Sequence, residues 1–199
     1  MNISEFLNIE SQETAAIIID MEKSFVDPEG AHCIKGAAKT VPECNRILEA
    51  CRKCNIPVFF VKRIYRNDGS DVEFTRFDSW DKGGRGMAPN SEGSNSIEEP
   101  DGLKRYPQDY VIIKPRWSAF FQTELDLILR RKHIKNIILL GTTTPNCIRT
   151  TCYDAIAMDY ETYIIEQCCS SNTEEIQQSN MDDMERIGAH IIRDIPMLD

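Results

Sequence analysis

The feature that most constrains this chain is a series of short, β-branched apolar runs that recur along its length with helical patterns between them. TAAIIID (14–20), IPVFFVK (56–62), YVIIK (110–114), NIILLG (136–141), ETYIIE (161–166) and HIIR (190–193) read as six strands. Most are continuously apolar, the pattern of a parallel sheet covered on both faces. Between them, Thr40 and Glu43 stand at a capping-box spacing with Pro42 in the first turn. Val41, Cys44, Leu48 and Cys51 then form one helical stripe that ends near Asn55 and Pro57. A second helix is expected over 119–132, burying Phe121, Leu125 and Ile128 and placing Arg130, Arg131 and Lys132 at the negative end of its dipole. Asn172 and Glu175 are expected to cap a further helix carrying Ile176, Met184 and Ile187. Strands alternating with helices predict an α/β fold, a doubly wound three-layer sandwich around a parallel sheet.

Composition narrows the class further. A chain of 199 residues, 41% of them hydrophobic, supports one core, so residues 1–199 are expected to form a single domain. With 23 basic and 32 acidic side chains the net charge is −9, which offers nucleic acid no basic field. No apolar run approaches the roughly 20 residues of a membrane span. The opening MNISEFLNIESQET lacks the cationic and apolar regions of a signal peptide, so a cytoplasmic location is expected. The eight cysteines are expected to be reduced and mostly buried, because a core-rich chain of this length needs no disulfide framework. The stretch 66–109 stands apart: rich in Gly, Ser and Asn and without an apolar period, it reads as a long irregular insertion, either a lid or a surface excursion.

In open α/β sheets, ligands collect at the carboxyl ends of strands. The first strand stops on Asp20, a cap or a reactive carboxylate, and the third on Lys114, which either snorkels to solvent or works in a site. The fourth runs into TTTPNCIRTTCYDAIAMDY, which puts Cys147 at the first turn of a helix with Ile148, Cys152, Ala155 and Ile156 on its buried face. Free N–H groups at a helix start favour a thiolate, depress the cysteine pKa and can receive an oxyanion. A carboxylate to take the thiol proton and an ammonium to stabilise the thiolate complete a catalytic set. Arg116, two residues past Lys114, is a candidate for an anionic substrate group, its alternative being a surface ion pair. Phe25 and Trp117 are candidate pocket walls, or simply core.

The segments IIIDMEKSF (17–25), VIIKPRWSAFFQTELDLILR (111–130) and GTTTPNCIRTTCYDAIAMDY (141–160) resemble the isochorismatase-like cysteine hydrolases. That superfamily includes nicotinamidase, N-carbamoylsarcosine amidohydrolase and related ureido and biuret amidases. The resemblance implies a six-stranded parallel sheet of order 3-2-1-4-5-6 and a triad of Asp20, Lys114 and Cys147. It also implies a cis peptide between Thr142 and Thr143, with the amides of Thr143 and Cys147 as the oxyanion hole. The implied activity is hydrolysis of a C–N bond in a small amide, ureido or carbamoyl compound through a thioester, without a cofactor, in a homodimer or homotetramer.

Departures sharpen that expectation. Nicotinamidases follow their second strand with an Asp-x-His metal motif; here the place reads VKRIYRNDGSD, and His32 and His133 show no ligand spacing, so no metal is expected and nicotinamide is disfavoured. Glu22 stands where the family commonly has Gln. Three other readings compete. One is vinyl ether hydrolysis driven by Asp20 with Cys147 a spectator. Another is a nucleotide- or flavin-binding module, which needs a Gly-rich loop that DMEKSFVDPEG does not supply. The last is thiol exchange at Cys51-x-x-Cys54 or Cys168–Cys169, although the former pair lies near a helix end instead of leading one.

Overall fold

The computed structural model describes residues 1–198. Its elements run α1 (Ile3–Leu7), β1 (Thr14–Ile19), α2 (Lys23–Val26), α3 (Ala37–Lys53), β2 (Val58–Arg63), α4 (Phe77–Lys82), β3 (Tyr110–Lys114), α5 (Leu125–Arg131), β4 (Asn136–Thr142), α6 (Arg149–Ala157), β5 (Glu161–Ser170), α7 (Glu174–Arg186) and β6 (His190–Ile192). The six strands are all parallel, in the order β3-β2-β1-β4-β5-β6. This is the doubly wound sandwich that the alternating pattern predicts, in the strand order that the family resemblance implies.

Alternation along the strands builds two cores. Ala15, Ile17 and Ile19 of β1 join Phe59, Val61, Ile112 and Leu139 on one face, beneath Leu125, Leu129, Cys152, Ala155, Met181 and Met184 of α5, α6 and α7. Ala16 and Ile18 join Val58, Phe60, Ile138 and Leu140 on the other, against Ile3, Leu7 and the Val41–Cys44–Leu48–Cys51 stripe of α1 and α3. Each such side chain contributes about 1.5–3 kcal/mol by leaving water, which is why runs apolar at every position become central strands. Gly141 lets β4 pass β1 where the strands end: at its φ of +113°, an added Cβ would stand 2.2 Å from the Ile19 carbonyl oxygen. Among the described residues no helix is long and apolar enough to cross a membrane.

Several helix boundaries differ from expectation. α3 begins at Ala37, one turn before the Thr40–Glu43 spacing, so Pro42 lies inside it; the Thr40 hydroxyl donates to Ala37 O (2.9 Å) and Glu43 pairs with Arg46. The helix expected over 119–132 is only Leu125–Arg131. In the residues before it, the Ser118 and Thr123 hydroxyls accept the amides of Phe120 and Leu125 (3.2 and 3.3 Å), a local alternative to helical bonding. Phe121 is therefore 47% exposed while Ala119 and Phe120 are buried. Thr173, not Asn172, caps α7 by accepting Ile176 N; Asn172 accepts Lys35 N instead, and the buried stripe is Gln177, Met181 and Met184 with Ile176 outside it.

Residues 66–109 are not featureless. They carry α4, and Val72, Trp80, Met87 and Ala88 pack with Phe25 and Tyr65 into a third apolar cluster. Trp80 Nε1 donates to Gly86 O (2.8 Å). All eight cysteines are free. Cys168 and Cys169 are neighbours on β5 and so face opposite cores, which explains why adjacency in sequence does not pair them.

Candidate active site

Four neighbouring strands deliver polar groups to one edge of the sheet. Lys114 ends β3 and Arg63 ends β2, and the two stand opposite each other in the parallel register. Period-two alternation places both on the face of Phe59, Val61 and Ile112, so the charges continue an apolar file. Asp20 follows β1 directly; its amide donates to Val61 O (2.9 Å), and its φ of +51° lies in the left-handed region, where Asp is among the better-tolerated residues.

Beyond β4 the Thr142–Thr143 peptide is cis, and Thr144–Ile148 wind as one π-helical turn that leads into α6. The Thr143 carbonyl accepts from Asn146 N and Ile148 N (3.1 and 3.2 Å). The end of β5 secures the turn: Thr143 and Thr144 hydroxyls donate to Ser170 O, and Ser170 Oγ donates to Thr142 Oγ1 (3.0 Å). Cys147 sits in this turn and is 3% exposed.

Asp20, Lys114 and Cys147 thus come together from three strands. Lys114 Nζ lies 2.8 Å from Asp20 Oδ2 as an ion pair whose angles are poor for a hydrogen bond. It also lies 3.6 Å from Cys147 Sγ and donates to Arg116 O (3.0 Å). Asp20 and Lys114 are fully buried, so each charge depends on the other for compensation. Burial and the Asp20 charge push the Cys147 thiol up to about 12, outweighing the opposite pull of Lys114 and Arg63. This runs against the expectation of a depressed pKa, because desolvation at this depth and the Asp20 charge exceed what the ammonium and Arg63 return. Cys152, on the buried stripe of α6, is likewise raised to about 12 by burial.

Cys147, Thr143 and Asn146 border a cavity of about 250 Å³, whose walls include Phe25, Tyr65, Met87 and Trp117. Phe25 and Trp117, the candidate walls, both border this cavity, Phe25 from α2 and Trp117 from the stretch after β3. Arg116 does not: its Nη1 donates to the backbone carbonyls of Asp71 and Pro115 (2.7 and 2.6 Å), and it does not border the cavity. The guanidinium groups at the cavity are those of Arg63 and Arg76, which the sequence reading passed over. Arg63 was within reach, since it shares strand parity with Lys114; Arg76 and Met87 come from 66–109, which has no period to read. His32 also borders the cavity, its Nδ1 3.3 Å from Ser24 Oγ, and is lowered to about 4 by burial and by Arg76 and Arg63. Glu22 lies beneath, fully buried, with no ion pair or well-formed hydrogen bond; burial and Asp20 hold its pKa well above the usual carboxylate range. A wider groove of about 680 Å³ beside α2 and α3 contains no thiol and no buried titratable side chain. Among the described residues, no three His, Cys, Asp or Glu side chains converge as a metal site requires.

The architecture and this pocket define a class: a three-layer α/β protein whose ligand cavity opens at the carboxyl edge of a parallel sheet, beside a buried thiol. Within that class the chain belongs to the isochorismatase family of hydrolases, whose isochorismatase domain profile matches residues 14–194. An Arabidopsis thaliana protein described as a probable inactive nicotinamidase is 35% identical over 179 residues, covering 89% of this chain and 90% of its own. A ureidoacrylate amidohydrolase of Azorhizobium caulinodans is 28% identical, with 81% and 78% covered. The crystal structure of an isochorismatase family protein from Desulfovibrio vulgaris superposes with a TM-score of 0.85 at 36% identity, covering 90% and 93% of the two chains. A cysteine hydrolase from Pseudomonas syringae does so with 0.84 at 25% identity, covering 92% and 89%.

Proposed function

We propose that this protein is a cysteine-dependent amidohydrolase that cleaves a C–N bond of a small amide, ureido or carbamoyl compound through a thioester. The observation that carries the reading is the convergence of Cys147, Lys114 and Asp20, with Lys114 Nζ within 3.6 Å of the sulfur and 2.8 Å of the carboxylate, at the end of a small cavity. The similarity to a ureidoacrylate amidohydrolase and to a cysteine hydrolase supports it. The description of the Arabidopsis relative as an inactive nicotinamidase favours a substrate other than nicotinamide.

In this mechanism Asp20 accepts the thiol proton as the sulfur attacks the carbonyl carbon, so thiolate forms only as it is consumed, beside the Lys114 ammonium. The new oxyanion is received by the amides of Thr143 and Cys147. Collapse breaks the C–N bond, and Asp20 returns its proton to the leaving nitrogen. Water then attacks the thioester, giving up a proton through Asp20, and the released sulfur takes it back as the thiol. The products are an acid, or a carbamate that decomposes, and ammonia or an amine. The reading takes residues 1–199 as one domain working in a homodimer or homotetramer; Val111 and Ile113 on edge strand β3 are among the exposed apolar side chains, with Phe74, Phe121 and Leu127, that assembly could cover.

The test is an ammonia-release screen over amides, ureas and carbamoyl compounds, followed by Cys147→Ala and Cys147→Ser on each positive. Loss of activity by roughly 10⁴-fold or more is expected in both. Unchanged ammonia release by Cys147→Ala would overturn thioester chemistry, whereas no ammonia from any compound of the panel would leave Asp20-driven ether hydrolysis as the reading to pursue.

A further inference from the structure

The cavity beside Cys147 carries a charge arrangement that amide hydrolysis does not require. Three cations face it or its floor: Lys114, Arg63 and Arg76. Lys114 is matched by Asp20. Arg63 is matched by Glu73, which also accepts the Tyr65 hydroxyl (2.7 Å). Arg76 is half-buried at the cavity wall, and among the described residues no carboxylate pairs with it. Nor is Arg63 saturated: its side chain is 2% exposed, its Nη2 goes to Glu73, and its Nε is buried without a hydrogen-bond partner. A buried guanidinium N–H without an acceptor is costly unless a ligand supplies one.

His32, on the same wall, offers no compensating charge, and its depressed pKa reflects the two guanidinium groups nearby after burial itself. The rest of the wall combines the aromatic or apolar side chains of Phe25, Tyr65, Met87 and Trp117 with the neutral polar residues Thr143, Asn146 and Asn172, and among the described residues no carboxylate borders the cavity. The cavity therefore has a reactive end at Cys147 and, opposite its neutral polar and apolar walls, one guanidinium at Arg76 that no carboxylate neutralises, beside an Arg63 whose charge is met by Glu73 but whose Nε is free. The planar guanidinium fork suits a carboxylate, whose two oxygens accept parallel N–H bonds.

We propose that the substrate is an anion, a small amide or ureido compound bearing a carboxylate, and that Arg76 together with the free Nε of Arg63 receives that carboxylate while Cys147 addresses the carbonyl carbon. The proposal rests on the amidohydrolase reading for the second half of its statement only; the anion site stands on the cavity. Arg76 acts here as a specificity residue, and Arg63 is held for the task by Glu73 below and by the Tyr65 and Trp117 rings, 5.3 and 5.7 Å from its Cζ.

The experiment separates binding from turnover. Using Cys147→Ser protein, so that no probe is consumed, succinamate is titrated against succinamide and 3-ureidopropionate against 3-ureidopropionamide by calorimetry, with and without Arg76→Gln. The acids are expected to bind at least roughly 10- to 100-fold tighter than their amides, and Arg76→Gln to collapse that ratio toward one, with Arg76→Lys restoring part of it. Binding of acid and amide alike, or an acid preference that survives Arg76→Gln, overturns the proposal, as does failure of every acid to bind in the millimolar range. The same pairs are then offered to the wild-type protein. Acids that bind through Arg76 but release no ammonia, there or in the wider screen, would sink the amidohydrolase reading and leave the anion site intact. Hydrolysis of neutral amides in preference to acids would do the reverse.

Discussion

At the scale of single residues, the site is a set of charges that burial has made interdependent. Glu22 is the clearest case, since its carboxyl is fully buried and its proton is held well above the usual range by desolvation and by Asp20. The folded state binds that proton more tightly than the unfolded chain, so the stability it supports is complete below about pH 4.5 and is lost as pH rises through the folded-state pKa. Glu22→Gln replaces the neutral acid by a neutral amide of the same shape and removes that dependence. The variant is expected to melt close to wild type at pH 4.5 and roughly 3–8 °C higher at pH 8, measured by scanning calorimetry across pH. A melting difference that does not change with pH would mean that Glu22 is ionised in the fold. Asp20, Lys114 and Cys147 were all legible as strand-end or helix-start residues. Their separation and the raised pKa of the Cys147 thiol were not, because distance and desolvation depend on what packs around them. Arg116, the sequence candidate for an anion contact, lies outside the cavity, where its Nη1 is taken by the carbonyls of Asp71 and Pro115.

At the scale of elements, the strands were readable because a continuous apolar run has one stable solution in a protein of this size, burial on both faces. Helix starts were harder. A hydroxyl or carboxamide caps a helix only if the preceding backbone turns the right way, and Gly36 and Thr173 took the places expected of Thr40 and Asn172. A capping box at Asn2 and Glu5, which starts α1, went unread. The junction of β1 and β4 invites a test. Gly141→Ala sets a Cβ against the Ile19 backbone at a positive φ, where neither strand can retreat without disturbing the residues that lead to Asp20 and Cys147. A loss on the order of 3–5 kcal/mol and a fall in Tm of about 10 °C are expected. A Tm within about 2 °C of wild type would show that β4 can shift there at little cost.

At the scale of the whole molecule, two cores grip the sheet from opposite sides, while Val72, Trp80, Met87 and Ala88 of the segment 66–102 form a small cluster beside them with Phe25 and Tyr65. That segment closes one side of the cavity through Arg76 and Met87, next to Tyr65, and it is joined to α2 by backbone bonds from Lys23 N to Glu98 O and from Ser24 N to Ser96 O. Few apolar contacts and a peripheral position make it the part that opens first. Hydrogen exchange read by mass spectrometry should find peptides from 77–95 exchanging on the order of 10²-fold or more faster than those of β1 and β4. Uniform protection across both would show that the cap folds and unfolds with the sheet. Taken by itself, the order of apolar runs and polar strand ends determined the layers, the sheet and the trio at its edge, since these follow from periodicities written locally along the chain. Which guanidinium reaches the cavity, how deeply the thiol is buried and what faces it from 66–109 were decided only by tertiary structure, because desolvation and charge pairing are set by neighbours far apart in sequence.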